Sequence, residues 1–208
     1  MINLFNDDCL KAMKNMSDNE FDLAIVDPPY GMPAFGTQTG GDTNKTRYKT
    51  NEVRAWDIAP SDEYFSELER VSKNRIIWGG NYFNLPPTRG IIAWDKCQFN
   101  PYFSGFELAW TSFQRPAKII KLDNKQLEKG DKIHPTQKPV TLYKWLLKNY
   151  AEKGDRILDT HLGSGSIAIA CHHMGHELTA YEINEEYYQN AIQRFERHKK
   201  QLRLFDAV

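Results

Sequence analysis

Short apolar runs alternate along the chain with segments whose apolar residues recur at helical spacing. This alternation is typical of an α/β protein built on a mostly parallel sheet. The predicted strands are FDLAIVD, NRIIWGG, GIIAWD, FELAWTS, DRILD and ELTAYEI. The predicted helices are SDEYFSELERVSKN, with Ser61 as its N-cap, PVTLYKWLLKNYAEKG, SIAIACHHMG and NEEYYQNAIQRFERHKKQ. We therefore expect an α/β fold with a doubly wound, mostly parallel sheet.

One long segment interrupts this pattern. Residues 31–57 are polar and show no clear periodicity, and loops of that length in a compact domain are usually functional or mobile. A chain of 208 residues suits one α/β domain, so we expect a single domain over residues 1–208.

Charge is balanced over the whole chain but uneven along it. The 27 basic and 27 acidic residues give a net charge of zero, so composition alone does not indicate a nucleic-acid partner. Between residues 115 and 138 basic residues outnumber acidic ones, and such a local basic face can contact phosphates. The alternative is that these lysines are ordinary solvated surface.

Cysteine usage and the absence of long apolar runs predict the compartment. The three cysteines are widely spaced and odd in number, which argues against a disulfide framework and fits a reducing cytoplasm. The first residues lack the features of a signal peptide, and no apolar run approaches membrane-spanning length. We predict a cytoplasmic protein with no membrane partner.

The strand FDLAIVD runs directly into two prolines and a tyrosine. Pro28 and Pro29 remove two backbone donors and stiffen the chain, so the strand must end there. Folding requires neither Asp27 nor Tyr30 beside this rigid corner, so the pair is a candidate for a functional site. The alternative is a strand end with a solvated acid and a packed aromatic ring.

A second group of polar residues follows the strand DRILD. The strand ends in Asp159, and a turn with Gly163 and Gly165 leads into a helix, where glycine lets the backbone approach a ligand. The next strand ends in Glu182, roughly 20 residues on, where a βαβ unit places an acid beside a ribose. An acid at position 159 would repel a pyrophosphate but suits the ammonium group of S-adenosylmethionine. The glycine spacing alone does not exclude a dinucleotide as the ligand, and it does not exclude a plain helix cap with no ligand.

DPPY, together with D-x-x-x-G-x-G from Asp159, resembles the S-adenosylmethionine-dependent amino methyltransferases of DNA. KIHPTQKPV and the amino-terminal NDDC stretch are similar to segments of the permuted, β-class members, and the order is theirs, with the catalytic motif first and the cofactor motif last. WGGNYFNLPP and LDTHLGSGS resemble small methylases of phage and prophage origin. The chain departs from the family in having Thr160-His161 where Pro-Phe is common.

The resemblance implies a Rossmann-like methyltransferase fold, S-adenosylmethionine as cofactor, double-stranded DNA as partner, and no metal ion. The implied catalytic residues are Asp27, Pro28, Pro29 and Tyr30. The implied cofactor-binding residues are Asp8, Cys9, Asp27, His134, Thr136, Lys138, Asp159, Gly163, Ser164, Gly165 and Glu182.

The chemistry explains why these residue types suit an amino group on a base. Its lone pair is delocalised into the ring, so the nitrogen is a poor nucleophile. Asp27 and the carbonyl of Pro28 can each accept one N–H bond, which frees the lone pair for the methyl group, and the prolines hold both acceptors in place. Because the amino group is inaccessible inside a duplex, the base must be flipped out, and Tyr30 is placed to stack on it.

The segments left for reading DNA are short. We expect a recognition insertion at about residues 96–132 and a mobile DNA-contacting loop at about residues 31–57, which leaves a homodimer or a partner subunit open. The acid that begins DPPY favours adenine N6 over cytosine N4, by association within the family.

Other functions stay open. Within catalysis the alternatives are methylation of cytosine N4, RNA or protein. Outside it they are a DNA-binding relative without catalysis and a nicotinamide-type Rossmann protein.

The histidine-rich stretch at residues 171–176 does not predict a metal site. On a helix His172 and His176 would share a face that Cys171 and His173 do not, and no second ligand pair is evident.

Overall fold

The computed structural model describes residues 1–31, 58–98, 104–123 and 137–205, with side chains described as far as residue 200. The described strands are β1 (Ile2–Phe5), β2 (Phe21–Val26), β3 (Ser72–Trp78), β4 (Ile91–Asp95), β5 (Phe106–Thr111), β6 (Lys118–Lys121), β7 (Arg156–Asp159) and β8 (Glu177–Tyr181). The described helices are α1 (Cys9–Met13), α2 (Asp62–Val71), α3 (Val140–Tyr150), α4 (Ser166–Met174) and α5 (Glu185–Phe205), with a short 3-10 helix at Gly80–Tyr82. None of these helices is both long and apolar enough to cross a membrane.

The strands form one sheet in the order β1-β8-β7-β2-β3-β5-β4-β6. The five neighbouring strands β1, β8, β7, β2 and β3 pair in parallel. β5 runs antiparallel to both β3 and β4, and β6 pairs in parallel with β4 at the edge. The mostly parallel sheet expected from the sequence is therefore confirmed.

β2 illustrates how helices cover both faces of the sheet. Leu23 and Ile25 belong to one buried cluster, which includes residues of α3, α4 and α5. Ala24 and Val26 belong to a second, which includes residues of α1 and α2. Successive strand residues point to opposite faces, so a strand buried on both sides is a continuous apolar run. The doubly wound arrangement is confirmed.

All the predicted strands and helices are present, but several boundaries differ. β1, β6 and α1 were not predicted, because four or five residues are too few to show a period. Ser61 caps α2 as predicted, accepting a hydrogen bond from the backbone N–H of Tyr64 at 3.4 Å. That helix ends at Val71 rather than near Asn74, because β3 begins at once with the buried Ser72.

The expected DNA-reading segments lie partly outside the described residues. Of residues 31–57 only Gly31 is described. Within residues 96–132 the described part contains β5 and β6, which are strands of the central sheet. The division into one domain with a DNA-reading insertion stays a prediction.

The parallel half of the sheet places the site. β1, β8, β7 and β2 are neighbours that run in the same direction, so their carboxyl ends lie along one edge of the sheet. Ligands of open α/β sheets bind beyond this edge. Each of these strands is followed by, or ends in, an acid named above: Asp8, Glu182, Asp159 and Asp27.

Candidate active site

The DPPY corner holds Asp27 at the end of β2 with both carboxylate oxygens already contacted. The Tyr30 hydroxyl donates to Oδ1 at 3.0 Å, and the ammonium group of Lys138 forms an ion pair with Oδ2. The side chain of Asp27 remains 18% exposed. The acid is therefore oriented from two sides while part of it still faces solvent.

Tyr30 is packed as well as hydrogen-bonded. Its ring stacks on Tyr82 at a centroid distance of 4.8 Å and meets the edge of Phe83 at 6.1 Å. Gly79 has a φ of +67°, and a Cβ atom there would lie 2.2 Å from Cε1 of Tyr30. Burial, with the charge of Asp27, raises the pKa of the phenol far above its ordinary value, so the hydroxyl stays a donor. Stacking of Tyr30 on a base stays a prediction.

Lys138, implied as a cofactor residue, lies against Asp27. It is 3% exposed, and its Nζ also lies 3.2 Å from Oε2 of Glu107 on β5. Burial lowers the pKa of the ammonium group, but the charges of Asp27 and Glu107 outweigh it and the pKa is raised. Lys138 therefore stays charged inside the protein.

Glu107 is a site residue that the sequence analysis missed. Lys96 binds its Oε1 at 2.5 Å, and burial, which raises the pKa of this carboxyl, is outweighed by the charges of Lys138 and Lys96, so that the pKa is lowered. A signal was present in the sequence. In FELAWT the alternation puts Glu107 on the same face as Ala109 and Thr111, both fully buried in the structure.

Asp159 is buried at the end of β7, the strand beside β2. It accepts a hydrogen bond from the backbone N–H of His161 at 3.0 Å. Burial, together with the charges of Asp27 and Glu182, raises the pKa of its carboxyl to about 8 despite that bond. A buried acid beside two others offers a favourable place for a cation.

The turn after Asp159 has the backbone shape expected of the glycine motif. Gly163 and Gly165 have φ values of +51° and +72°, a region that glycine enters without strain. Ser164 between them is buried, and its carbonyl accepts a hydrogen bond from Arg194 at 2.9 Å. The turn is therefore fixed from behind by α5.

Glu182 and Asp8 use their carboxylates to organise this edge. Glu182 accepts hydrogen bonds from the backbone N–H groups of Gly163 and Asn184, both at 2.9 Å. Asp8 caps α1 by accepting from Leu10 at 2.9 Å and Lys11 at 3.2 Å. Both side chains keep oxygen lone pairs beyond these bonds.

Cys9 is half-buried as the first residue of α1, and burial with the nearby charge of Asp8 raises the pKa of its thiol to about 12. The thiol therefore stays protonated, so Cys9 is suited to line a pocket by packing and not to act as a nucleophile. His134 and Thr136 lie outside the described residues.

The unusual Thr160-His161 pair is tied to the opposite helical layer. The hydroxyl of Thr160 lies 2.6 Å from that of Tyr64 on α2 and 2.9 Å from Nδ1 of His161. Burial lowers the pKa of His161 to about 4, so the ring is neutral. A polar bridge replaces the apolar Pro-Phe pair here.

The prediction that His172 and His176 share a helix face is wrong. α4 ends at Met174, and Gly175 caps it with a φ of +74°, so His176 lies outside the helix and is buried. Glycine ends helices readily because it enters this left-handed region. Among the residues that the structure describes, no group of three or more His, Cys, Asp or Glu is placed to hold a metal ion.

The donor set fits S-adenosylmethionine. Its sulfonium and ammonium groups are positive, and the described acids at this edge outnumber the bases that contact them. The positive-φ glycines leave the backbone of the turn open to close approach. Glu182 lies at the end of the strand after the turn, as a ribose-binding acid does.

Comparison with known proteins places this chain in a family. Residues 42–193 match the N6/N4 methyltransferase family described as DNA methylase. Type II methyltransferase M.HpaI from Haemophilus parainfluenzae is 26% identical over 234 residues, covering 90% of this chain and 72% of that protein.

Solved structures agree in fold. The complex of M1.HpyAVI with S-adenosylmethionine superimposes with a TM-score of 0.61 at 18% identity, covering 93% of this chain and 98% of that one. The cytosine-N4-specific PvuII DNA methyltransferase gives a TM-score of 0.63 at 13% identity, with 96% and 90% covered. The expected Rossmann-like methyltransferase fold is confirmed. Because the family match spans most of the chain, this protein belongs to the N6/N4 family of DNA methylases.

Proposed function

We propose that this DNA methylase transfers a methyl group from S-adenosylmethionine to N6 of adenine in double-stranded DNA. The observation that carries the proposal is the pairing of β2 with β7, which puts the ends bearing Asp27 and Asp159 side by side. One acid lies in a rigid proline corner and the other precedes the glycine turn. An acceptor for an amino group and a site for a cationic methyl donor are therefore adjacent.

The catalytic residues act by positioning. S-adenosylmethionine supplies a methyl carbon on a positively charged sulfur, which keeps the electron pair of the broken C–S bond. Asp27 and the carbonyl of Pro28 accept the two N–H bonds of the target, and Pro29 holds that corner rigid. The nitrogen gains the methyl group through its lone pair and releases one proton to water. Tyr30 stacks on the extruded base.

The cofactor would be held by the other acids and the turn. Glu182 takes the ribose hydroxyls, and Asp8 takes the adenine amino group beside the wall formed by Cys9. Asp159 and the turn through Gly163, Ser164 and Gly165 hold the methionine part. A cofactor role for His134 and Thr136, which lie outside the described residues, rests on the sequence resemblance alone.

The finer assignment rests on sequence. The order of the motifs and the DPPY tetrapeptide support a permuted, β-class enzyme similar to small prophage methylases. The acid at position 27 favours adenine. Cytosine N4 is the second candidate, because the PvuII enzyme of similar fold is cytosine-N4-specific. M.HpaI is a type II methyltransferase, which supports a role in restriction–modification. A cytoplasmic location rests on the cysteine usage of the sequence, and a homodimer or a partner subunit is open as the assembly.

The experiment that tests this proposal identifies the product base. The protein is incubated with tritiated S-adenosylmethionine and unmethylated duplex DNA, and the digested nucleosides are separated by mass spectrometry. N6-methyladenine is expected. N4-methylcytosine would overturn the choice of base, and no labelled nucleoside would overturn DNA as the substrate.

A further inference from the structure

Four charged side chains of alternating sign form a chain at the active site. Asp27 pairs with Lys138, Lys138 lies 3.2 Å from Glu107, and Lys96 lies 2.5 Å from the other oxygen of Glu107. They come from the end of β2, the residue before Pro139, β5 and the residue after β4. Four separate elements of the fold converge to make this contact, and three of its members, Lys138, Glu107 and Lys96, have no role in the mechanism above.

The chain is costly to build. Lys138 is 3% exposed and lies 5.2 Å from the ring centre of Trp78, while Glu107 is 26% exposed. Taking ions out of water costs several kcal/mol for each ion unless they are well paired. Replacing the whole group of charges by apolar side chains would cost less than building it, so its presence points to a role in the reaction.

We propose that Lys138 and Glu107 are positioning residues for methyl transfer: Lys138 balances the charge of the Asp27 carboxylate and orients it, and Glu107 shares the ammonium group so that an oxygen of Asp27 stays available to the target amino group. This inference rests on the proposed function. It moves Lys138 from the cofactor pocket to the substrate side of the site.

The surroundings of Asp27 show why a cation is needed. Glu107 on β5 shares the ammonium group of Lys138 with it, and Asp159 at the end of β7 adds a second negative charge beside it once ionised, with Glu182 acting on Asp159 in turn. Tyr30 donates a hydrogen bond to it, Tyr143 on α3 is neutral, and Lys96 is held by Glu107. Without Lys138, carboxylates would crowd one another, and like charges drive a carboxyl group to take up a proton. A protonated Asp27 is a poor acceptor for an N–H bond.

Glu107 prevents the opposite imbalance, an excess of positive charge beside the target amino group. With both acids and both lysines present, the four charges sum to zero. If Glu107 were neutral, the ammonium group would act on Asp27 alone and the cluster would carry one positive charge. The target nitrogen becomes positive as it gains the methyl group, so that extra charge opposes the reaction.

The test is the pH dependence of single-turnover methyl transfer in three variants. In Lys138→Met the acid limb of the rate profile moves to higher pH by one unit or more, so at a given pH on that limb the rate falls at least about tenfold, and it recovers at high pH. In Glu107→Gln the acid limb moves down, while the plateau rate falls and the Kd for S-adenosylmethionine stays unchanged. In the double variant the acid limb returns toward that of the wild type, because the negative charge of Glu107 is removed together with the positive charge of Lys138.

The matched control is Lys73→Met, which removes a lysine paired with Asp22 on the surface and leaves the profile unchanged. Calorimetric binding of S-adenosylmethionine and melting curves check each variant. Equal losses at every pH without recovery in the double variant would overturn the inference. If Lys138→Met does not fold, Glu107→Gln is the test. An acid limb at lower pH than in the wild type supports the inference, and an unshifted acid limb overturns it. A wild-type protein that methylates no DNA would instead overturn the proposed function.

Discussion

Binding of S-adenosylmethionine should release a proton from Asp159. Burial holds the pKa of this carboxyl at about 8 in the free protein, so at pH 6 it carries a proton. A cation that binds beside it favours the ionised form, and the proton leaves. We expect close to one proton released per cofactor bound at pH 6.

The same pKa sets how affinity changes with pH. Each pH unit below the pKa of Asp159 costs about 1.4 kcal/mol of binding free energy, because the site must first be deprotonated. Between pH 5 and 7 the Kd for S-adenosylmethionine should fall about tenfold per pH unit. Over this range the α-amino group of the cofactor stays charged, since such groups titrate near pH 7.7–8.0.

The assay is isothermal titration calorimetry at pH 6 in two buffers of different ionisation enthalpy. The difference in heat gives the number of protons released. Asp159→Asn should bind without proton release and with a flat pH dependence, while Asp155→Asn, which changes an acid of an exposed turn, should behave as wild type. Equal heats in both buffers, with a Kd independent of pH in the wild type, would show that Asp159 carries no proton in the free protein at pH 6.

Three further changes test the packing and electrostatics. Because burial raises the pKa of Asp159, this carboxyl adds most to the stability of the fold below its unfolded pKa of about 3.8, and the contribution is lost as pH rises through about 8. The loss is on the order of 4 kcal/mol at pH 7. Asp159→Asn should therefore resist urea better than the wild type at pH 8 but equally at pH 4. Gly79→Ala puts a Cβ atom 2.2 Å from Tyr30 at a positive φ, so the melting temperature and turnover should fall while calorimetry finds an unchanged Kd for S-adenosylmethionine. Leu146→Ala in the core should cost about 2–5 kcal/mol in urea unfolding, whereas Ile119→Ala, at a side chain 69% exposed, should change it by no more than about 0.5 kcal/mol.

Sequence periodicity predicted the sheet because the chain buries its strands in simple ways. β2 is covered on both faces and is continuously apolar, and β7 is its parallel neighbour, so the two acids could be expected at one edge before any coordinates existed. Motif spacing likewise identified the turn with Gly163 and Gly165, because a positive φ requires glycine in most contexts.

The pairing of Lys138 with Glu107 could not be predicted with the same ease. The two residues are far apart in sequence, and their contact depends on β5 lying antiparallel between β3 and β4. A one-residue shift in register would turn Glu107 to the other face of the sheet. The packing of Tyr30 on Tyr82 has the same origin, since the short 3-10 helix that carries Tyr82 shows no periodicity.

The most direct test of the account compares methyl transfer to duplex DNA by the wild type and by Asp27→Ala in a single turnover, with S-adenosylmethionine binding measured in parallel. We expect both proteins to bind the cofactor with similar affinity and only the wild type to label DNA. Label transferred by Asp27→Ala at the wild-type rate would contradict the assignment of Asp27 as the acceptor for the target amino group.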